Sequence, residues 1–319
     1  MDALSEMLRM VRLTGGIFMD ARFTSPWCIT ANMDADDCRP FLENPTQLIA
    51  YHYIISGRLI LSVAGAAPIE INAGEIVLFP RNDGHIMASA PGIAPVRAGT
   101  LVQPSADSAI SQIRYGGGGA ATHLVCGFLG TSEGFNPLIE ALPQVLVLDV
   151  RQSLSRDWIE ASVKYAAAEL AMGRLASSGV ILRVSETLFV EAVRQYAENS
   201  AETDTGWLQG LRDPQVGRAL ALIHRDIGAP CSVAALAKEA AMSRSAFVER
   251  FTAIVGVPPM RYIARWRLQT ARRSLRETPM PIAQLAHSVG YESEEAFSRA
   301  FKREFGVSPA RWRDHGKAA

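Results

Sequence analysis

The chain has 319 residues, and its 32 Lys and Arg balance its 32 Asp and Glu. This length is ample for two domains, each with its own core. The charge is uneven along the chain: residues 207–319 hold 18 Lys and Arg against 10 Asp and Glu, and residues 1–206 hold 14 against 22. A basic terminal third on an acidic remainder predicts a polyanion-binding module joined to a different domain. Cys28, Cys38, Cys126 and Cys231 form no Cys-x-x-Cys pair and no zinc-finger spacing, which argues against a disulfide framework. Residues 1–6 carry no basic segment leading into an apolar core, so no signal peptide is expected. No uninterrupted apolar run approaches the roughly 18–20 residues that span a bilayer. The expectation is a cytoplasmic protein in a reducing compartment.

Residues 2–13 place Leu4, Leu8 and Val11 at helical spacing and predict a short helix. From 15 to 130 the pattern changes to short β-rich runs between Gly, Pro, Asn and Asp: Gln47–Ile55, Leu59–Val63, Pro68–Ile71, Ile76–Phe79 and Ala121–Phe128. Short, closely spaced strands separated by turn residues predict a sandwich or small barrel. Residues 90–120, rich in Ala, Pro, Gly and Ser and ending in Gly116–Gly119, read as a mobile loop. No Lys-Ser/Thr opens a helix after those glycines, so they form no phosphate cradle, and nothing in the chain calls for a cofactor.

Residues 151–198 switch to a helical period. Trp158, Ile159, Val163, Ala166, Ala167 and Leu170 form one stripe, and Val180, Val184, Leu188, Ala192 and Tyr196 another. The two join near Met172–Gly179 as a helical hairpin. Residues 199–210 read as a linker that opens on the polar run Asn199–Thr205. Residues 211–315 are helical in pattern throughout. The expected fold is α+β: a β-barrel domain over 1–150, the hairpin, the linker and an all-α domain.

Two stretches of that last domain share one skeleton. The first reads Leu236-Ala237, Met242-Ser243, Phe247, Phe251, Gly256, Pro259, Tyr262, and the second Leu285-Ala286, Gly290-Tyr291, Phe297, Phe301, Gly306, Pro309, Trp312. The offset is 49 before the first Phe and 50 from it onward, so the second copy has one extra residue in its turn. A repeat that keeps its apolar anchors, Gly and Pro is one supersecondary unit used twice. Ser232 and Ser243 are N-cap residues, and Gly256 with Pro258 and Pro259 is a helix stop. Helix, tight turn and helix is the helix-turn-helix plan, whose second helix enters the major groove.

At about 100° per residue, the side opposite Phe247 and Phe251 carries Ser245, Glu249 and Thr252, with Val248 at its margin. In the second copy the same construction gives Glu295, Arg299 and Lys302, with Ser298 at the margin and Glu294 at the helix start. These positions are the expected base contacts: Arg299 suits guanine, Glu249 or Glu295 cytosine, and Val248 a thymine methyl. Arg244, Arg250, Lys302, Arg303 and the cluster Arg265, Arg267, Arg272 and Arg273 suit phosphates.

Residues 282–312 resemble the signature of the AraC/XylS family of bacterial transcription regulators. The first copy and the helix Ile263–Leu275 between the two match the same family. The resemblance implies two helix-turn-helix motifs bridged by a long helix and reading adjacent major-groove segments. It also implies a dimer through the helical hairpin. The partners that follow are double-stranded promoter DNA, a second copy of the chain and RNA polymerase.

The run Gly74–His85, with Pro80 and Gly84 inside it, resembles the second motif of the cupin barrel found fused to such domains. Tyr51-His52-Tyr-Ile-Ile-Ser-Gly57 resembles the first motif. Cupins that do metal chemistry hold the ion with more histidines and a carboxylate. Only His52 and His85 stand in roughly matching places, and His123 is the remaining candidate for a third imidazole. Cys126 sits on an apolar strand, at a Cys-Gly characteristic of that barrel, with Cys28 as a partner if their Cα atoms approach within about 7 Å. His52, His85 and Cys126 are the expected effector-pocket residues. The wall is expected to include Ile54, Leu59, Leu61, Ile76, Leu78 and Phe128 and to favour a partly apolar small molecule. Three readings result: a homodimeric activator responsive to a small molecule or redox signal, a metal-dependent cupin enzyme with a DNA-binding appendage, and an architectural protein with an inert barrel.

Overall fold

The computed structural model describes residues 4, 13, 19–32, 47–103, 111–131, 137–152, 157–159, 161, 162, 165, 177–199 and 206–315. The chain divides into two compact units, one spanning Val11–Asn199 and one containing Ser200–Ala319. No helix among the described residues is long and apolar enough to cross a membrane.

The first unit is built on two sheets. Its strands in chain order are β1 (Met19–Thr24), β2 (Cys28–Ala31), β3 (Gln47–Ser56), β4 (Arg58–Val63), β5 (Ile69–Asn72), β6 (Glu75–Phe79), β7 (His85–Ala88), β8 (Val96–Arg97), β9 (Ser111–Gly116), β10 (Ala121–Thr131) and β11 (Leu146–Asp149). One sheet runs β11-β6-β3-β10-β1-β9 and the other β5-β4-β7-β2-β8. All pairings are antiparallel except β1 with β9 and β2 with β8. Ala21, Phe23, Ile29, Ile54, Leu59, Leu61, Val77, Phe79, Met87 and Leu124 meet in the buried core.

Helix α1 (Pro137–Ala141) lies between β10 and β11, and helix α2 (Ser177–Asn199) follows β11. Helix α2 packs on β10 and β11. Its buried Ser185 shares a 2.8 Å hydrogen bond with Tyr51 of β3. Residues 157–159, 161, 162 and 165 are also helical. Of the first predicted stripe, Val163, Ala166, Ala167 and Leu170 lie outside the described residues, as does most of the predicted 2–13 helix.

Two expectations need correction here. Residues 90–120 contain β8, a 3-10 turn at Ala98–Leu101 and β9, rather than one mobile loop. The inward-facing residues of β6 are Val77 and Phe79, not Ile76 and Leu78. Strand β6 is buried on both faces, so no apolar–polar alternation marks its inner side.

The second unit is helical: α3 (Trp207–Arg212), α4 (Pro214–Arg225), α5 (Val233–Glu239), α6 (Arg244–Val255), α7 (Pro259–Glu277), α8 (Ile282–Ser288), α9 (Glu294–Phe305) and α10 (Pro309–His315). Residues 207–210, read as linker, are therefore the start of α3.

Candidate functional site

The repeat folds into two helix-turn-helix units of matching geometry. In the first, the Ser232 hydroxyl accepts from the Ala235 N–H at 3.2 Å at the start of α5, and Ser243 accepts from Ala246 at 3.3 Å at the start of α6. In the second, Ser293 accepts from Ala296 at 3.2 Å at the start of α9. Both second helices end on a left-handed glycine, Gly256 at φ 85° and Gly306 at φ 77°. Phe247 with Phe251, and Phe297 with Phe301, are fully buried, and each pair has ring centroids 5.6 Å apart at 56°.

The opposite sides are open. Arg244, Ser245 and Glu249 are exposed on α6, and Glu294, Glu295, Arg299, Lys302 and Arg303 on α9, while Val248, Thr252 and Ser298 are half-buried. The Thr252 hydroxyl is buried and has no partner among the described residues, so it is not presented outward as the face construction implied. Glu295 is bound back onto its own helix. Its backbone N–H, the Ser293 hydroxyl and Arg299 hold its carboxyl below the usual value, in the helix turn where a negative charge suits the dipole.

Several arginines of this unit, most of them among those expected at phosphates, have partners inside the unit. Arg250 donates to the Asp213 carboxylate at 2.5 and 3.0 Å. That carboxylate also accepts the Gln215 and Val216 N–H groups and so caps α4. Arg267 on α7 donates to the carbonyls of Ile227 at 3.0 Å, Ala229 at 2.8 Å and Gly290 at 2.7 Å. Arg218 on α4 donates to the Glu239 and Ala240 carbonyls at the end of α5. Arg265 lies 3.5 Å from Glu304, Arg273 3.7 Å from Glu277, and Arg272 stacks over Phe305 and Trp312. Such contacts satisfy helix-end and turn carbonyls that lack intrahelical partners. All but the Arg273–Glu277 pair join residues far apart in sequence, so no local pattern announces them.

A buried polar cluster ties α3 to the first copy. Trp207 donates its indole N–H to the Tyr262 hydroxyl at 2.7 Å, and that hydroxyl lies 2.7 Å from Nε2 of His224. Burial lowers the His224 pKa to about 3. The Gly206 N–H also donates to the Ile254 carbonyl at 2.7 Å, in the last turn of α6.

In the first unit a cavity of about 300 Å³ opens inside the sheets. His52 on β3, His85 on β7 and Cys126 on β10 all line it, and Cys126 stands opposite His52 in the β3–β10 register. Nε2 of His52 lies 2.7 Å from Nε2 of His85, whose Nδ1 is 2.9 Å from the Asp83 carbonyl oxygen. Burial, helped by the neighbouring imidazole, pushes His52 well below its ordinary value. Burial lowers His85 to about 4 against the pull of Asp83. Burial also raises the Cys126 thiol to about 12 and moves Cys28 upward. Both thiols are free. They lie on β10 and β2, strands of different sheets, and Cys38 lies outside the described residues.

His123 does not join the other two histidines. A register shift falls between His123 and Leu124, and His123 bonds instead to Asp20. Among the described residues no three His, Cys, Asp or Glu side chains gather as a metal site. With the two remaining Nε2 atoms turned on each other, these residues do not fit a cupin metal centre. Of the expected wall, Phe128 lines the cavity, whereas Ile54, Leu59 and Leu61 belong to the core behind it. Met87, Ile113, Asn32 and Asn82 are wall residues that the sequence reading missed.

Comparison with known proteins agrees with both units. Residues 2–198 match a Cupin family model and residues 236–315 a helix-turn-helix domain model. An AraC-like transcription regulator of Streptomyces lividans is 33% identical over 272 residues, which cover 84% of this chain and 88% of that protein. The chain belongs to the AraC family of transcriptional regulators. It is also similar to the HTH-type transcriptional regulator AlkR of Acinetobacter baylyi, 28% identical over 98% of this chain and 99% of that one. The RCS-specific HTH-type transcriptional activator RclR of Escherichia coli is 24% identical over 98% of each chain. The AraC-family regulator described here is thus a DNA-binding protein with a cupin domain, and α6 and α9 are its second helix-turn-helix helices.

Proposed function

We propose that this AraC-family regulator is a cytoplasmic homodimer that activates transcription by binding promoter DNA with α6 and α9 in response to a small molecule held in the cupin cavity. It carries no enzymatic activity of its own. The cavity carries this reading: His52, His85 and Cys126 converge on a largely apolar chamber, with no metal set assembled among the described residues. A thiol pushed up to about 12 is not the thiolate that reacts readily, so a bound molecule suits the site better than oxidation. Activation is supported by the likeness to RclR, a transcriptional activator, and implies contact with RNA polymerase.

The fold supplies a route out of the cavity. Adjacent residues of a strand point to opposite faces, so His52 faces the cavity while Tyr51 bonds to Ser185 of α2. Helix α2 ends at Asn199, where the linker begins. A ligand that favours one packing of β3 on α2 shifts the regulator only by its differential affinity for the two states. Trp158 and Tyr165, helical residues seven positions apart that are 50% and 51% exposed, are the apolar side chains this reading assigns to the dimer surface.

Two experiments test this reading. Sequencing the genomic fragments retained by the full-length protein is expected to return a few promoter regions, and even recovery of all fragments would contradict it. Sedimentation is expected to show a dimer that Trp158→Ala with Tyr165→Ala weakens. A wild-type monomer at micromolar concentration would overturn the dimer.

A further inference from the structure

The outer face of the six-stranded sheet carries a row of basic side chains toward its β9 edge. Ala21, Phe23 and Ile113 belong to the core. Neighbours along a strand point to the opposite face, so Asp20, Arg22, Gln112 and Arg114 point outward. Arg22 stands directly beside Arg114 in the β1–β9 register and beside His123 in the β1–β10 register. Neighbouring strands lie about 4.8 Å apart, and like charges held directly opposite one another are destabilising.

Local partners do not balance this row. Asp20 is a shared acceptor: Arg22 gives it Nε at 3.2 Å, and His123 bonds to it as well. Both terminal nitrogens of Arg22 are then without a partner among the described residues. Arg114, also exposed, reaches only the Gln112 side-chain oxygen, at 3.5 Å, among the described residues. Other exposed arginines of the same unit, Arg58, Arg151 and Arg183, each meet a carboxylate. The row lines an open depression of about 580 Å³, where Arg22, Arg114 and His123 meet Thr24, Ser56 and Thr122. No Asp or Glu is among its described lining residues, although residues 1–206 carry 22 acidic side chains against 14 basic ones.

We propose that this depression is an anion site, separate from the cupin cavity on the other side of the sheet, for a small molecule bearing a phosphoryl or carboxylate group. A planar guanidinium matches the oxygens of either group with two parallel N–H donors. Asp20 engages Nε of Arg22 and leaves its Nη1–Nη2 edge for the anion, while Arg114 supplies the second fork from the next strand. The exposed Ser56 hydroxyl is a further donor. An anion between the two guanidinium groups also relieves their mutual repulsion. The site stands independently of the cavity as the effector site.

Calorimetric titration of the full-length protein with pyrophosphate and with succinate, at pH 7.5 and about 0.15 M ionic strength to screen distant charges, tests this. At least one of the two is expected to saturate at one molecule per chain. Arg114→Gln and Arg22→Gln are each expected to weaken it at least about tenfold, and Arg58→Gln to leave it unchanged. Arg114→Lys keeps the charge without the fork and is expected to fall between Arg114→Gln and the wild type. Tighter binding of pyrophosphate marks a phosphoryl site and tighter binding of succinate a carboxylate site, and either upholds the proposal. Saturation by neither anion in the millimolar range overturns it. Affinity that both Gln variants leave unchanged overturns it too, since the anion then binds elsewhere on the chain. Equal weakening by Arg58→Gln would show attraction to general charge and no built site.

Discussion

The guanidinium of Arg267 fills the space that a side chain on Gly290 would need. A Cβ on Gly290 would lie 2.5 Å from the Arg267 Cζ, and the glycine adopts φ +82°. The same guanidinium donates to the Ile227 and Ala229 carbonyls, just before the first helix-turn-helix, and to the Gly290 carbonyl in the turn of the second. One side chain on α7 thus ties the lead-in to the first helix-turn-helix to the turn of the second.

Gly290→Ala is therefore expected to damage the unit in two ways. The left-handed backbone costs an L-residue about 1–2 kcal/mol, and the methyl displaces the clamp. Urea unfolding is expected to show a loss of about 2 kcal/mol or more, with DNA affinity falling at least tenfold at a concentration where the protein remains folded. Unchanged affinity would show that the clamp does not set the reading geometry.

The corresponding turn of the first copy carries Ala241 at φ 54°. Ala241→Gly relieves the backbone cost but adds freedom to the unfolded chain. The expected net result is neutral to about 1 kcal/mol stabilising by urea unfolding. Marked destabilisation would mean that the Ala241 methyl contributes packing that outweighs its backbone.

Asp213 makes the second unit acid-sensitive. Burial raises its pKa, but Arg250 and the Val216 and Gln215 N–H groups outweigh this and hold it below the ordinary value. A depressed carboxyl contributes stability that is fully present above its unfolded value near 4, and lost as pH falls through the folded one. Asp213→Asn is expected to lower stability at pH 7 and to flatten its loss below pH 4, as read by thermal melts across pH. An unchanged acid slope would place the sensitivity elsewhere.

The histidine pair works with the opposite charge. His52 and His85 are held neutral, with His85 lowered to about 4. The unfolded chain then binds protons below about pH 6.5 that the folded barrel refuses. Stability of the barrel is fully present above that value and falls as pH drops from it toward 4. The expected loss is about 1 kcal/mol per histidine by pH 5.5. His85→Phe is expected to reduce that slope, and a barrel equally stable at pH 7.5 and 5.5 would contradict the neutral pair.

What the sequence disclosed follows from physics that is local. Ser232, Ser243 and Gly256 mark helix ends because capping acts within a few residues. The spacing of Phe247 with Phe251 and of Phe297 with Phe301 marks a buried face. Strand β6 was legible as a strand but not as to its faces, because Ile76, Val77, Leu78 and Phe79 are all buried. The side on which His123 lies was hidden by the register shift next to it. Arg250 on Asp213 and Arg267 on Gly290 bridge 37 and 23 positions, and nothing in either neighbourhood distinguishes these arginines from surface cations.

Selection of bound sequences from a random DNA library, with the wild-type protein and with Arg299→Ala, tests the central claim most directly. The exposed residues of α6 and α9 differ, Ser245 and Glu249 against Glu295, Arg299 and Lys302. The selected site is therefore expected to hold two unlike segments about one helical turn (~34 Å) apart. Arg299→Ala is expected to cost roughly 1–3 kcal/mol and to erase preference at one base pair of one segment. Absence of any enriched sequence, or a loss spread evenly over all sequences, would contradict reading by α9 through Arg299.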